Sequence, residues 1–349
     1  METAAPEMPF LKNLGLLMTY RCQVACPHCI IEAGPQRKEQ MLLEDLYTWI
    51  EQIACYRNNY IRVVSLTGGE PFINVRRLKA VAEFADQQGL FVSAVTNAYW
   101  ATTPDKAVRV LDNTPTLRML QISTDEYHQK FIPFERVKNA IHACRACHVP
   151  FTIALCTEND HDPEYRYILQ ELEKIVEPEL IYTAITFKAG RALHEDTANQ
   201  YETSPTPPQT ACGAGSSPII FPDGRVIACT GPIIDLKSSH PLILGNLHHN
   251  SLAEILDQAE VNPILHAIRL WGPKKIILMM EAAGLGRYLP NTYIKDSVCH
   301  ACYDLMSVPT LVHFMESLSH NVDFVRKVAY GRIYYLNETD MVARLGLTS

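Results

Sequence analysis

What the chain lacks narrows the field first. Its 349 residues hold no apolar run of about eighteen residues, the length a bilayer demands, so no membrane span is expected. Met1 to Pro9 shows no basic, apolar and small-residue succession of the secretory kind, and the expected location is cytoplasmic. Positive charge is not in excess: 31 Lys and Arg stand against 38 Asp and Glu, a formal net charge of -7. That balance excludes bulk wrapping of a phosphate backbone, leaving only a local basic groove open, and no nucleic-acid partner is expected. There is no internal repeat and no low-complexity tract. No phosphate-type Gly-rich loop follows the first strand-like run, which tells against a doubly wound dinucleotide fold. Disulfides are not expected either. In a cytosolic chain, 11 cysteines point to metal ligands and reactive thiols, and an odd number cannot all pair.

What is present is a normal globular composition, 47% hydrophobic and 20% charged, enough for one large domain or two ordinary ones. From Leu14 to Lys188, short strand-like runs alternate with amphipathic stretches. Strands are expected at Leu14–Met18, Ile61–Leu66, Phe91–Thr96, Leu117–Ser123, Phe151–Cys156 and Leu180–Phe187. Helices are expected at Leu42–Arg57, Val75–Gln88, Asp105–Leu111, Phe134–Cys147 and Glu164–Val176. Such alternation implies parallel strands with right-handed crossovers, and a partial (β/α)6 barrel of the TIM type within an α/β chain. Ligands of such folds bind at the C-terminal strand ends, where Gly68, Asn97, Asp125 and Glu158 fall. The stretch 195–211, with Thr203-Ser204-Pro205-Thr206-Pro207-Pro208, reads as a linker. The expected division is therefore a barrel over 1–194, a linker over 195–211, a second domain over 212–319 and a C-terminal tail over 320–349. In the second domain, Pro222-Asp223-Gly224 turns a hairpin between Ile219–Phe221 and Val226–Ala228. Helices are expected around Leu252–Ala259, Ile276–Ala283 and Leu305–Leu318.

Just after the first strand stands Cys22-Gln23-Val24-Ala25-Cys26-Pro27-His28-Cys29, a C-x3-C-x2-C run. Three thiolates this close can hold three irons of a 4Fe–4S cube and leave the fourth iron open for a small ligand. A structural zinc site is the plain alternative, but it calls for a second ligand pair that is absent nearby. After the second strand come Gly68-Gly69-Glu70-Pro71.

Together the two motifs resemble the radical S-adenosylmethionine (SAM) enzymes. The resemblance implies a 4Fe–4S cluster on Cys22, Cys26 and Cys29 whose open iron chelates SAM. It implies one-electron cleavage of SAM to methionine and a 5′-deoxyadenosyl radical, which abstracts a hydrogen atom from substrate. It places SAM contacts at Gly68, Gly69 and Glu70, with Asn97, Ser123 and Arg191 as further contacts. Asp125 would meet ribose or substrate, and His128 would relay a proton or touch substrate. For Glu70 the plain alternative to a SAM contact is an acid at a helix N-terminus.

A second cysteine group is patterned as well. Cys212 is followed by eleven residues, Gly224, four residues and Cys229, and Cys299 and Cys302 complete four thiols. This resembles the twitch form of the SPASM-type extensions of radical SAM proteins, and implies an auxiliary, fully ligated 4Fe–4S cluster. Four cysteines in two pairs also suit tetrahedral zinc. The stretch Thr124-Asp125-Glu126-Tyr127-His128, the residues around Gly68, the segment Asn97–Trp100 and the final Cys-x2-Cys resemble radical SAM epimerases that act on ribosomal peptides. Those enzymes carry a hydrogen-donor cysteine directly after the second auxiliary-cluster cysteine. Here that position is Thr230, which shifts the expectation toward oxidation or bond formation.

Of the four remaining cysteines, Cys144, Cys147 and Cys55 read as core. Cys156 ends the fifth strand at the barrel mouth, where it either packs or donates a hydrogen atom to a substrate radical. The expected function is hydrogen abstraction in natural-product maturation: oxidation, cross-linking or epimerisation of a ribosomally made peptide. The alternatives are a dehydrogenase or epimerase acting on an aminocyclitol or sugar, a non-catalytic iron–sulfur electron-transfer protein, and a zinc-stabilised barrel. No recognition domain precedes Cys22, so a peptide is expected to use a separate partner or the barrel's own groove. A flavodoxin- or ferredoxin-type electron donor is implied.

Overall fold

The computed structural model describes residues 10–194, 201–339 and 341. The chain divides into two compact units, one of Asn13–Tyr201 with Ile219–Gly224, the other of Met1–Lys12, Glu202–Pro218 and Arg225–Ser349.

The first unit alternates strand and helix as its hydrophobic pattern dictates. Its strands are β1 (Asn13–Thr19), β2 (Val63–Gly68), β3 (Phe91–Thr96), β4 (Leu117–Ser123), β5 (Phe151–Thr157) and β6 (Ile181–Ile185). Its helices are α1 (Leu43–Cys55), α2 (Val75–Gln87), α3 (Pro104–Asp112), α4 (Glu126–Gln129), α5 (Phe134–Ala146) and α6 (Pro163–Glu173). The strands pair in sequence order and all in parallel, with register partners such as Leu16 and Leu66, Ile122 and Ile153, and Cys156 and Ala184. A further short strand, Ile219–Ile220, joins the free side of β1 in parallel. The result is an open parallel sheet, a partial (β/α)6 barrel.

The helices start where the sequence supplies caps. Thr103, Asp162 and Asn74 accept from the backbone N–H groups of Lys106, Tyr165 and Arg77. The strands show two faces. Val64, Leu66, Leu120, Ile122, Ile153 and Leu155 are fully buried, each contributing about 2 kcal/mol of apolar burial. Between them stand Ser65, Thr67, Gln121, Ser123 and Cys156, half-buried. Period-two alternation thus gives the sheet one apolar face and one face of small and polar side chains. The second face is the one available to a ligand.

The second unit contains α7 (Leu252–Val261), α8 (Pro263–Ala282), α9 (Val298–Ser307), α10 (Pro309–Ser319) and α11 (Val322–Leu336), with short strands at Thr203–Ser204, Arg225–Ile227, Ile243–Asn246 and Tyr293–Ile294. Arg225–Ile227 pairs antiparallel with Ile243–Asn246. Helix α8 breaks at Gly272 (φ 66°, ψ -177°), just before Pro273.

Several expectations need revision. Of the stretch read as a linker, 195–200 lies outside the described residues. Thr203–Ser204 pairs with Tyr293–Ile294 and belongs to the second unit. The residues read as a tail from 320 include α11, which buries Phe324 and Val328. Its Arg332 is 3% exposed and donates to Glu260 and Glu338, while Arg269 also pairs with Glu338. A helix whose anchors are one arginine and widely spaced apolar residues gives a weak periodic signal. Cys55, read as core, is exposed: the last turn of α1 buries Ala54 and turns Cys55 outward.

Candidate active site

The loop after β1 carries Cys22, Cys26 and Cys29. The first two are buried and the third half-buried. The loop is held from three sides. Its own backbone closes it, with Cys29 N–H donating to the Cys26 carbonyl at 3.2 Å and Cys22 N–H to Gly34 at 3.2 Å.

The Gly68–Pro71 turn holds it from β2. Gly68 is the last residue of that strand. Gly69 N–H donates to the Thr19 carbonyl at 2.7 Å and Glu70 N–H to the Arg21 carbonyl at 3.0 Å. A Cβ on Gly69 would stand 2.3 Å from the Arg21 oxygen, so only glycine allows this approach. The close neighbour of that glycine is the chain's own cysteine loop. Glu70 is completely buried. Its Oε1 accepts from Phe72 N–H and Thr96 Oγ1, both at 2.9 Å, and its Oε2 accepts from Asn97 N–H at 2.7 Å. Burial pushes its pKa up to about 7, against the pull of those donors. Asn97, at the end of β3, donates from Nδ2 to Cys22 Sγ at 3.4 Å.

Arg191 holds the loop from the segment after β6. Its guanidinium donates to the Cys26 carbonyl and, at 2.6 Å, to the Ala33 carbonyl; its backbone N–H donates to the Cys29 carbonyl at 3.2 Å. The preceding Gly190 has φ 58°, and a Cβ there would lie 2.6 Å from the carbonyl oxygens of Cys29 and Ile30. The guanidinium expected as a SAM contact is thus engaged with backbone carbonyls of the cysteine loop.

At the end of β4, Ser123 is half-buried, and Asp125 caps α4 by accepting from His128 N–H at 2.9 Å. Asp125 Oδ1 also meets His128 Nδ1 at 2.8 Å, and Oδ2 lies 3.6 Å from His28 Nε2. His28 packs against Tyr127 and His128, with ring centroids 4.6 and 5.0 Å apart. Burial would raise Asp125, but the two histidines outweigh it and hold the carboxyl down at about 2. Burial pushes His28 down to about 4, while on His128 the Asp125 charge overcomes burial and raises the pKa. Asp125 Oδ2 and His28 Nδ1 are buried without a hydrogen-bond partner, so this cluster keeps two polar atoms to offer a ligand. His28 was not singled out from sequence. Its place between Cys26 and Cys29 was the signal, since whatever sits there must lie beside the cluster.

Cys156, near the end of β5, sits on the polar face, and burial pushes its thiol up to about 12. It is therefore an S–H group at neutral pH. Cys144 is buried core in α5, and Cys147 Sγ lies 3.3 Å from Asp112 Oδ1.

In the second unit, Cys212, Cys229, Cys299 and Cys302 line one apolar cavity with Gly231, Ile233, Leu265 and Ile268. Burial raises all four thiols, neighbouring thiols add to it at Cys229, Cys299 and Cys302, and Cys299 reaches about 12. Four thiols gathered in an apolar cavity become thiolates only around a cationic centre. Among the described residues, no three of these sulfurs lie within 4.8 Å of one another.

In the first unit the donor set fits a cluster with an open iron: three thiols on one loop, an amide N–H aimed at a sulfur, and a polar sheet face beside them.

Comparison with known proteins agrees with this geometry. Residues 16–167 match the family model described as the radical SAM superfamily, whose members bind SAM and a 4Fe–4S cluster. The putative peptide biosynthesis protein YydG of Bacillus subtilis (strain 168) is 22% identical over 309 residues, 87% of this chain and 94% of that protein. Among solved structures, methylornithine synthase (PylB) aligns with a TM-score of 0.41 at 13% identity, over 51% of this chain and 54% of that one. BtrN in complex with AdoMet and 2-DOIA aligns with a TM-score of 0.35 at 13% identity, over 75% and 89%. The cysteine loop and the Gly-Gly-Glu-Pro turn lie within residues 16–167, the stretch that matches the radical SAM family model.

Proposed function

We propose that this enzyme matures a ribosomally made peptide by inverting a stereocentre, with Cys22, Cys26 and Cys29 as cluster ligands and Cys156 as the hydrogen donor. SAM and the cluster, when bound, supply a 5′-deoxyadenosyl radical that removes a carbon-bound hydrogen. The rest of the work falls to the chain's own residues. Asn97 tunes the Cys22 sulfur through its N–H donor, Glu70 fixes Asn97, and Arg191 with Gly190 fixes the loop. The orphaned Asp125 Oδ2 and the ring of His128 orient ligand polar groups on the polar sheet face.

The observation that carries the reading is the Cys156 thiol, kept protonated by burial on the same sheet face as Ser123. A substrate carbon radical takes the hydrogen atom of Cys156; the S–H bond breaks and the C–H bond forms on the face opposite the one that lost hydrogen. The thiyl left behind returns to thiol with one electron from a flavodoxin- or ferredoxin-type donor and one proton from solvent. The peptide as substrate draws support from the similarity to YydG over most of both chains.

Cys212, Cys229, Cys299 and Cys302 are proposed as ligands of an auxiliary 4Fe–4S cluster. Four thiols suffice for one fully ligated cube, and the sixteen residues between Cys212 and Cys229 are long for a zinc knuckle. A second reading, two-electron oxidation or cross-linking, is favoured by this same four-cysteine cavity, which offers a place for a second electron, and by Thr230 where a donor thiol would stand.

The test is a peptide deuterated at its Cα positions, presented to the reconstituted and reduced protein. Deuterium in the 5′-deoxyadenosine supports peptide hydrogen abstraction. Unlabelled 5′-deoxyadenosine alongside turnover of an aminocyclitol or sugar contradicts it. The auxiliary site is checked with the Cys22, Cys26 and Cys29 triple alanine variant, which retains about four irons if Cys212, Cys229, Cys299 and Cys302 hold a cube and none if they hold zinc.

A further inference from the structure

Two helix faces in the second unit meet across a groove of about 680 Å³. Trp271, just before the Gly272 break of α8, and Lys274, Lys275 and Leu278, just after it, line one side. Lys327, Tyr330, Gly331, Tyr334 and Tyr335 line the other, on one face of α11. Gly331 brings the helices together: a Cβ there would stand 2.8 Å from Leu270 Cδ1 and 3.3 Å from Trp271 Cζ2. The lining is apolar yet exposed, with Tyr334 at 79%, Tyr335 at 68%, Leu278 at 47% and Tyr330 at 43%. No lining residue is acidic. Among the described residues Lys274, Lys275 and Lys327 have no ion pair. In a chain of net charge -7, this is a concentrated positive and aromatic patch.

We propose that this groove docks an acidic segment of the peptide substrate, outside the residue that is modified. The proposal rests on the peptide reading given above. The occupant follows from the lining. Tyr and Trp rings offer rigid apolar area for aliphatic or aromatic anchors, as at peptide and protein interfaces. The three lysines reward carboxylates between those anchors and repel basic segments, which sets register and specificity.

The test measures binding without turnover, on the iron-loaded full chain. The probes are three fluorescent peptides of equal length, alternating leucine with glutamate, glutamine or lysine. The glutamate peptide should bind about tenfold tighter than the glutamine one, from two or three exposed ion pairs, and should weaken with salt. Lys274→Glu with Lys327→Glu should reverse the preference toward the lysine peptide, and Tyr334→Ala should weaken all three. SAM cleavage should be unchanged in both variants, which shows that they fold. Equal affinity for the three peptides overturns the proposal. So does dimerisation of the wild type that Tyr334→Ala abolishes, which assigns the groove to a second copy. Glutamate-peptide binding that appears only after removal of residues 342–349 assigns the groove to the chain's own end and overturns it too. Tight glutamate-peptide binding by a protein that transfers no hydrogen from any peptide would sink the peptide-maturation reading and leave the groove standing.

Discussion

The backbone N–H of Asn97 donates to Glu70 Oε2 across 2.7 Å, and the Asn97 side chain donates to Cys22 Sγ at 3.4 Å. The two bonds make one rigid path from the end of β2, through the end of β3, to a cluster sulfur. Glu70 therefore acts on the cluster loop at one remove.

Glu70→Gln tests that path. The glutamine keeps the volume but turns a donor toward either Phe72 or Asn97 N–H, leaving a buried donor without an acceptor. A loss of about 2 kcal/mol is expected in urea unfolding of the iron-free protein. In the reconstituted protein the electron paramagnetic resonance of the reduced first cluster should shift, because the Asn97 amide moves relative to Cys22. An unaltered spectrum together with an unaltered midpoint would separate Glu70 from the cluster loop.

Arg191 offers a sharper case, since two guanidinium nitrogens span the carbonyls of Cys26 and Ala33. Lysine has one point charge and cannot span both. Arg191→Lys should retain three cysteines and still load iron, but with a reduction potential displaced from the wild type. Gly190→Ala, which drives a methyl into the Cys29 and Ile30 carbonyls, should lower iron loading outright. Equal potentials for wild type and Arg191→Lys would return Arg191 to a role outside the loop.

Asp125 and His128 make a pH prediction. The Asp125 pKa is held at about 2, below the ordinary 3.8, so its stabilisation is complete above the ordinary value and is lost as pH falls through about 2. His128 is raised above the ordinary 6.5, so its share is complete below that value and is lost as pH rises through the raised pKa. Between those limits Asp125→Asn should cost about 2 kcal/mol. In nuclear magnetic resonance titrations of the iron-free protein, the His128 ring should titrate lower in Asp125→Asn than in the wild type. An unmoved titration would mean that the 2.8 Å contact is not an ion pair.

The sequence was most legible where periodicity and motif coincide. Six parallel strands follow from their apolar runs, and β3 and β4 span the residues their runs mark out. Cys212, Cys229, Cys299 and Cys302, far apart in the chain, line one cavity. Less legible was anything decided by a backbone carbonyl. Arg191 and Gly69 read from sequence as groups that face a ligand, but three-dimensional packing turns both onto the cysteine loop. Helix α11 was hidden because its buried face sets only Phe324 and Val328 beside Gly331 and Arg332, and an arginine that meets Glu260 and Glu338 is one that periodicity counts as surface. His28 was overshadowed by the cysteines on either side of it.

The most direct measurement is the fate of Cys156→Ala in deuterated water. A thiol exchanges its proton with solvent, so the wild type should place one solvent deuterium on each inverted carbon. Cys156→Ala should still form 5′-deoxyadenosine and remove the substrate hydrogen, yet deliver no inverted, deuterated residue. Inverted product carrying solvent deuterium at the wild-type rate from Cys156→Ala would contradict the account.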